Sequence, residues 1–339
     1  MFRAKKNKAK KSRLSRVISA FSAIFTLTIL IGICSAFAIG YYYASGPSKQ
    51  SNIVLIERGQ GLPVIATKLK EQGIVSSSWH FVLAARLSGK SGQLKAGEFE
   101  FPAETSLKNA VDILVDGKTV QRFITFPEGM TSLQIVRKIN EHPDLVGEIE
   151  EVPSEGILLP ETYDIPLGTS RQQLIERMNE AMQKAVEKVW QNRADNLPVK
   201  TPYELLILAS IVEKETGIGA ERPLVASVFI NRLNQGIKLQ SDPTIIYGLV
   251  GGEGRLGRGI KKSEIRKPTE YNTYTIPALP PTPIANPGLV TLEATANPAE
   301  SNYIFFVADG TGGHVFAETY KEHQENVRKW RQIEQERNN

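Results

Sequence analysis

The longest apolar run in the chain comes first and has no polar face. From Val17 to Tyr43 there is no charged residue, and Ile, Leu, Phe and Ala dominate. A helix over that stretch would be roughly 40 Å long, more than the ~30 Å hydrocarbon core of a bilayer requires. Residues 44–52 (ASGPSKQSN) read as a linker. Ile53-Val54-Leu55-Ile56 is strand-like, and Leu62, Ile65, Ala66 and Leu69 then recur at helical spacing up to Gly73. A second helix is expected from about Ser77 to Leu87, capped by Ser77 or Ser78, and Gly97 to Phe101 alternates like a strand. Strand, helix, helix, strand between 53 and 101 predicts a small α+β module. Arg122 to Phe126 followed by Leu133, Val136 and Ile139 reads as a repeat of the strand–helix unit.

Beyond residue 168 helical periods prevail. Gly168-Thr169-Ser170 precedes a stripe of Leu174, Met178, Met182, Ala185 and Val189, read as core packing. Thr201-Pro202-Tyr203-Glu204 predicts a helix start, with Thr as cap, Pro at the first position and Glu closing a capping box. The run Leu205 to Val212 is apolar all round apart from Ser210, so this helix should be buried. A further helix is expected over Pro223–Asn234, ended by Gly236, and Asp242-Pro243 predicts a capped short helix reaching Tyr247. After a Pro-rich loop (Pro277 to Pro287), Tyr303 to Val307 reads as a strand. Gly310-Thr311-Gly312-Gly313 would turn it, His314 to Phe316 would return, and a polar helix follows Tyr320.

Charge gives the N-terminal run a direction. Eight Lys and Arg precede residue 17, from Arg3 to Arg16, with no acid among them. Removing those eight from the 41 Lys and Arg leaves 33 against 36 acidic residues, so the basic balance belongs to the tail and nucleic-acid binding loses its main support. The tail itself should be disordered and solvated. Basic residues before the apolar run and Tyr41, Tyr42 and Tyr43 after it predict a single-pass anchor, N-terminus in the cytoplasm and the rest outside. The rival is a cleaved signal peptide, because Ala36-Phe37-Ala38 fits a small-x-small site. Cys34, the only cysteine, follows Ile33 and so makes a poor lipidation site; one cysteine also leaves the monomer without a disulfide.

Recognisable catalytic motifs are few. His80, His142, His314 and His323 are scattered, with no HExxH and no Gly-x-Ser-x-Gly elbow, so no metal is expected. Gly310 to Gly313 lacks the Lys of a phosphate loop and reads as a hairpin turn. Carboxylates remain. Glu213 follows the all-apolar run and shares a face with Leu206 and Ala209, whereas Glu204 and Glu215 point the other way. A carboxyl among apolar neighbours at a helix C-terminus resists ionisation, as a general acid near neutral pH must. The same residues also read as a solvated last turn, and periodicity leaves both readings open.

A series of blocks resembles a known family. Gly156-x-Leu158-x-Pro160-Glu161-Thr162-Tyr163, Ala209 to Thr216, Val225 to Leu233, Leu239 to Thr244 with Tyr247, Tyr271 to Tyr274, and Phe306 to Gly310 with Gly313-His314 look like the MltG (YceG-like) endolytic murein transglycosylases in order and spacing. Pro280-Pro281-Thr282-Pro283 departs from the pattern, since many relatives have Gly after the two prolines. The resemblance implies an α+β protein of the bacterial inner membrane. Its expected layout is a cytoplasmic tail (1–16), a transmembrane helix (17–43), a linker (44–52), a LysM-like module (53–120) with a possible role in holding glycan, and a helix-rich periplasmic catalytic domain (121–339). It implies Glu213 as the catalytic acid, with no cofactor, acting on the bond between N-acetylmuramic acid and N-acetylglucosamine in peptidoglycan and leaving 1,6-anhydro ends. Glu161, Tyr163, Asn231, Asp242, Tyr247, Asn272 and Tyr274 are candidate sugar contacts, with Asp242 more readily a helix cap than a base. Limiting nascent strand elongation beside peptidoglycan synthases is the implied role. A non-catalytic wall-binding scaffold is the alternative, and a pyridoxal-phosphate lyase is disfavoured because Lys214 lacks a buried setting and a phosphate cradle.

Overall fold

A computed structural model describes the backbone of residues 2–338, and side chains from residue 19 onward except at 20, 23 and 338. The chain divides into two compact units, Met1–Gln121 and Arg122–Asn339. Both combine helices with short antiparallel strand pairs, so the fold is α+β.

The first unit begins with helix α1 (Phe2–Tyr43). Its stretch Ile24–Tyr43 is long and apolar enough to cross a membrane, and none of its side chains is buried. The backbone of the basic tail continues this helix, where the sequence suggested disorder; its side chains lie outside the described residues. Strand β1 (Asn52–Ile56) pairs antiparallel with β2 (Gly97–Phe101), Val54 opposite Phe99. Between them run α2 (Leu62–Glu71) and α3 (Ser78–Leu87), the latter capped by Ser77, whose side chain accepts from the His80 amide. Helix α4 (Leu107–Asp116) follows β2, capped by Ser106. Period-two residues of the strands and period-3.6 residues of the helices meet in one core of Val54, Ile56, Leu69, Phe81, Phe99 and Leu114.

The second unit opens with β3 (Phe123–Thr125), α5 (Ser132–Asn140) and β4 (Thr162–Asp164), with β3 and β4 antiparallel. Only one helix separates these strands among the described residues, so the expected repeat is partial. Ser170 and Gln173 close a capping box on α6 (Arg171–Gln191), whose stripe from Leu174 to Val189 is core, as its period demands. Helix α7 (Pro202–Glu215) is buried without interruption from Leu205 to Glu213. Thr201 caps it, but Glu204 reaches back to the amide of Lys200, one residue before the position a capping box would use. Around α7 pack α6, α8 (Arg222–Asn234) and α11 (Leu289–Ala296), forming the main core with Phe229 and Leu292.

Helices α9 (Asp242–Val250) and α10 (Lys262–Arg266) lie in the connection between α8 and α11. Ser241, not Asp242, holds the N-cap position of α9, because Asp242 already has helical geometry. Hairpin β5 (Phe305–Ala308) and β6 (His314–Ala317) and helix α12 (Tyr320–Asn338) complete the unit.

Candidate functional site

The C-terminal turn of α7 delivers two carboxyls to two different settings. Glu213 ends the buried run, and its side chain is 4% exposed. Its Oε2 accepts from the Gly288 amide at 3.0 Å and from Thr291 Oγ1 at 2.5 Å. Its Oε1 accepts from Arg222 Nη2 at 3.2 Å, and the same guanidinium nitrogen reaches Glu128 Oε2 at 2.5 Å. Glu213 is therefore buried, as a carboxyl among apolar neighbours would be, and not part of a solvated last turn, but it has polar partners as well. Its oxygens tie α7 to α8 and to the start of α11, and the negative charge is matched by Arg222.

Gly288 belongs to that network by being a glycine. A Cβ there would overlap Glu128 Oε1, so any side chain would force the Arg222-bound carboxylate away. Asn286, two residues earlier, caps a second buried knot. Its Nδ2 donates to Glu155 Oε1 at 3.1 Å, and Glu155 also accepts from the Ser132 amide and, at 3.3 Å, from Tyr247 OH. Burial raises the Glu155 carboxyl above its ordinary value, opposed by the hydrogen bonds from Ser132 and Tyr247.

Glu215, two residues beyond Glu213, faces a cavity of about 480 Å³. Its walls come from α7, α8, the start of α9, the segment of Tyr274, strand β5 and α12. Glu215 is partly buried, and Ser241 Oγ donates to its Oε1 at 2.5 Å. The Ser241 hydroxyl thus leaves its own helix uncapped and serves the carboxyl instead. Asp242 follows, and its Oδ1 accepts from Tyr274 OH at 2.7 Å. Burial is the main influence on Glu215 and pushes its carboxyl up to about 7; the Asp242 charge adds to the rise, while Ser241, His314 and Arg232 oppose it. The Tyr274 hydroxyl is raised too, by burial first and then by Asp242.

The arrangement can do acid–base chemistry. With burial pushing its carboxyl up to about 7, Glu215 can hold a proton and also give it up, with Asp242 at hand. Close by, Glu221 accepts from Thr216 Oγ1 and pairs with His314 Nδ1 at 2.8 Å, which pins the segment after α7 to the β5–β6 hairpin.

The structure gathers some of the sequence-selected residues and disperses others. Asp242 and Tyr274 join Glu215 at the cavity. Tyr247 lies against Tyr271, 5.0 Å between ring centroids, with its hydroxyl on Glu155. Glu161 is exposed beside β4. Tyr163 is buried and donates its hydroxyl to the Leu159 carbonyl. Asn231 spends its amide on the carbonyls of Ser301 and Tyr303, and Asn272 on those of Glu264, Ile265 and Lys267. Sequence reasoning passed over Glu155, Arg222, Ser241 and Gly288. The capping motif concealed Ser241; the others have no local signal, since their partners lie nine or more residues away on other elements.

A model of the YceG-like family matches residues 54–329. The endolytic murein transglycosylase of Bacillus subtilis is 30% identical over 315 residues, covering 84% of this chain and 86% of that protein. That of Streptococcus pneumoniae is 30% identical over 329 residues, covering 83% of this chain. This chain spans 58% of the pneumococcal protein's length. A crystal structure of a YceG-like protein from Listeria monocytogenes is 28% identical with a TM-score of 0.48, over 82% of this chain and 99% of that one.

Proposed function

The chain belongs to the YceG-like family, and from that premise we propose that it is an endolytic lytic transglycosylase that cuts the glycan strands of peptidoglycan. Two relatives, matched over most of this chain, carry that activity in their names. The observation that carries the proposal is Glu215: a carboxyl held near neutrality, facing a cavity, with Asp242 and Tyr274 beside it.

We assign the acid to Glu215; Glu213, the acid that the family resemblance implies, accepts from Arg222, Thr291 and Gly288 and is the alternative. Protonated Glu215 donates to the glycosidic oxygen between N-acetylmuramic acid and N-acetylglucosamine, and the C1–O bond breaks. Positive charge develops at C1, where the Asp242 carboxylate would stabilise it. The muramyl C6 hydroxyl then bonds to C1 and gives its proton to the Glu215 carboxylate, which restores the acid. A nucleophile already attached to the substrate has an effective concentration of up to ~10⁵ M or more, so no second catalytic carboxyl is needed. Ser241 holds Glu215 in position in both states, and the phenol of Tyr274 and exposed Glu161 are candidate sugar contacts. Tyr163, Asn231 and Asn272 are assigned positioning roles, because their polar atoms are used within the fold.

In this reading α1 anchors the protein in the inner membrane, with the catalytic unit on the outer side beside peptidoglycan synthases, where cutting would limit nascent strands. The test is digestion of purified glycan in ¹⁸O-water with the fragments weighed. Anhydro ends, lighter by one water and free of ¹⁸O, are expected. ¹⁸O-labelled reducing ends would make the enzyme a hydrolase, and glycan retained without shortening would leave a scaffold.

A further inference from the structure

Within the first unit, α3 carries two opposed faces. Phe81 and Ala85 are fully buried, and on the other side Trp79, Leu83 and Leu87 form a stripe one turn apart. Trp79 is 65% exposed and Leu87 79%, unusual for large apolar residues on a ten-residue helix. The stripe does not face open water alone. It forms one wall of an apolar groove of about 650 Å³ whose other wall is α1, through Phe37, Ile39, Tyr41 and Tyr42. Tyr41 meets His80 edge-on, 4.8 Å between ring centroids, which fixes α3 against the outer end of the apolar helix.

We propose that this face of α3 sits in the membrane surface, with Trp79, Leu83 and Leu87 among lipid headgroups and the first acyl carbons of the leaflet through which α1 emerges. The proposal rests on the reading of α1 as an anchor. Ile24–Tyr43 has 20 residues, and a helix of that length spans about 30 Å, the thickness of the hydrocarbon layer. Phe37 to Tyr42 then occupy the outermost part of that layer, and whatever fills a groove walled by them must mix with lipid. A soluble partner would have to enter the leaflet to reach it. The stripe has the composition of that depth: an indole with a polar edge at one end, two leucines, and Arg86 alongside them, long enough to reach phosphates. With α1 and α3 both engaged, the module is held flat on the bilayer instead of swinging on a single helix.

The test uses the full chain in phosphatidylcholine vesicles, with and without bromine at carbons 6 and 7 of one acyl chain, a shallow quencher of tryptophan. Trp79 is one of three tryptophans, and Trp190 and Trp330 belong to the other unit. Brominated lipid should remove on the order of a third of the emission from the wild type and almost none from Trp79→Phe, a change at an exposed ring that leaves the core untouched. Equal emission in both lipids, or equal quenching in Trp79→Phe, would overturn the proposal. So would Trp79 emission that ignores lipid and responds to soluble glycan fragments or to protein concentration. Vesicle flotation separates the two levels: a chain that does not float with vesicles refutes the anchor itself, whereas one that floats without quenching refutes only the docking of α3.

Discussion

Glu213 and Glu215 leave the same turn of α7 about 200° apart, the first closing an ion pair with Arg222 at 3.2 Å and the second accepting from Ser241 at 2.5 Å beside an open cavity. One carboxyl is bound into the scaffold, the other is available to a substrate. This separation makes their substitutions distinguishable.

Glu215→Gln should reduce strand cutting by roughly 10²–10⁴-fold, the usual contribution of a general acid, with a melting temperature no lower than the wild type. Glu213→Gln should behave in the opposite order. It leaves Arg222 partly unmatched in a buried place, at about 3 kcal/mol of stability, read from urea unfolding. A stable but inactive Glu213→Gln beside a working Glu215→Gln would return the acid to Glu213.

Cutting should fade as pH rises through about 7, because Glu215 must be protonated to start the reaction. On the alkaline side kcat/KM should drop about tenfold per unit. Asp242→Asn removes a negative charge that favours the protonated form, so the alkaline limb should move to lower pH. A limb that stays in place in Asp242→Asn would show that Glu215 does not set it.

Stability should carry the same signature with the sign that a raised carboxyl requires. Between the ordinary value of 4.5 and about 7 the unfolded chain loses the Glu215 proton while the folded chain keeps it. The unfolded state then binds fewer protons, so the folded state loses stability as pH rises through that window. Glu215→Gln removes the penalty, and its melting temperature relative to the wild type should rise from pH 4 to pH 8. A pH-independent difference would contradict this.

Gly288→Ala should destabilise by about 1–3 kcal/mol, since the new methyl group claims the space of the Glu128 carboxylate. Glu128→Ala vacates that space, so in the double variant the two costs should add to less than their sum. Additive costs in chemical denaturation would mean that the methyl group is accommodated elsewhere.

The helices were legible where local chemistry decides them. Thr201 caps as its sequence predicts, and the featureless run from Leu205 is buried. Ser106 with Leu107, Ala110, Val111 and Leu114 carries an equally readable cap and helical period. Strand β4 is too short to show a period, so nothing local marks Tyr163, a candidate sugar contact by resemblance, as the buried residue it is. The site was harder to read than the fold. Periodicity gives the angle between Glu213 and Glu215, but not which direction holds Arg222 and which the cavity, because that depends on chain distant in sequence. Asp242 carried the helix-start signal, and the helix started one residue earlier.

Asn272 offers a last consequence. Its side-chain amide gathers three backbone carbonyls from the end of α10 and the turn beyond, while its Oδ1 accepts from the amide of Tyr274. The tyrosine that faces the cavity is thus aimed by a residue with no share in it. Much of the entropy of ordering this stretch has been lost before any ligand arrives, so binding free energy is not consumed in shaping it. An aspartate in place of Asn272 would keep the oxygen for Tyr274 but set a carboxylate against three carbonyls, and the wall would have to be rebuilt at each encounter.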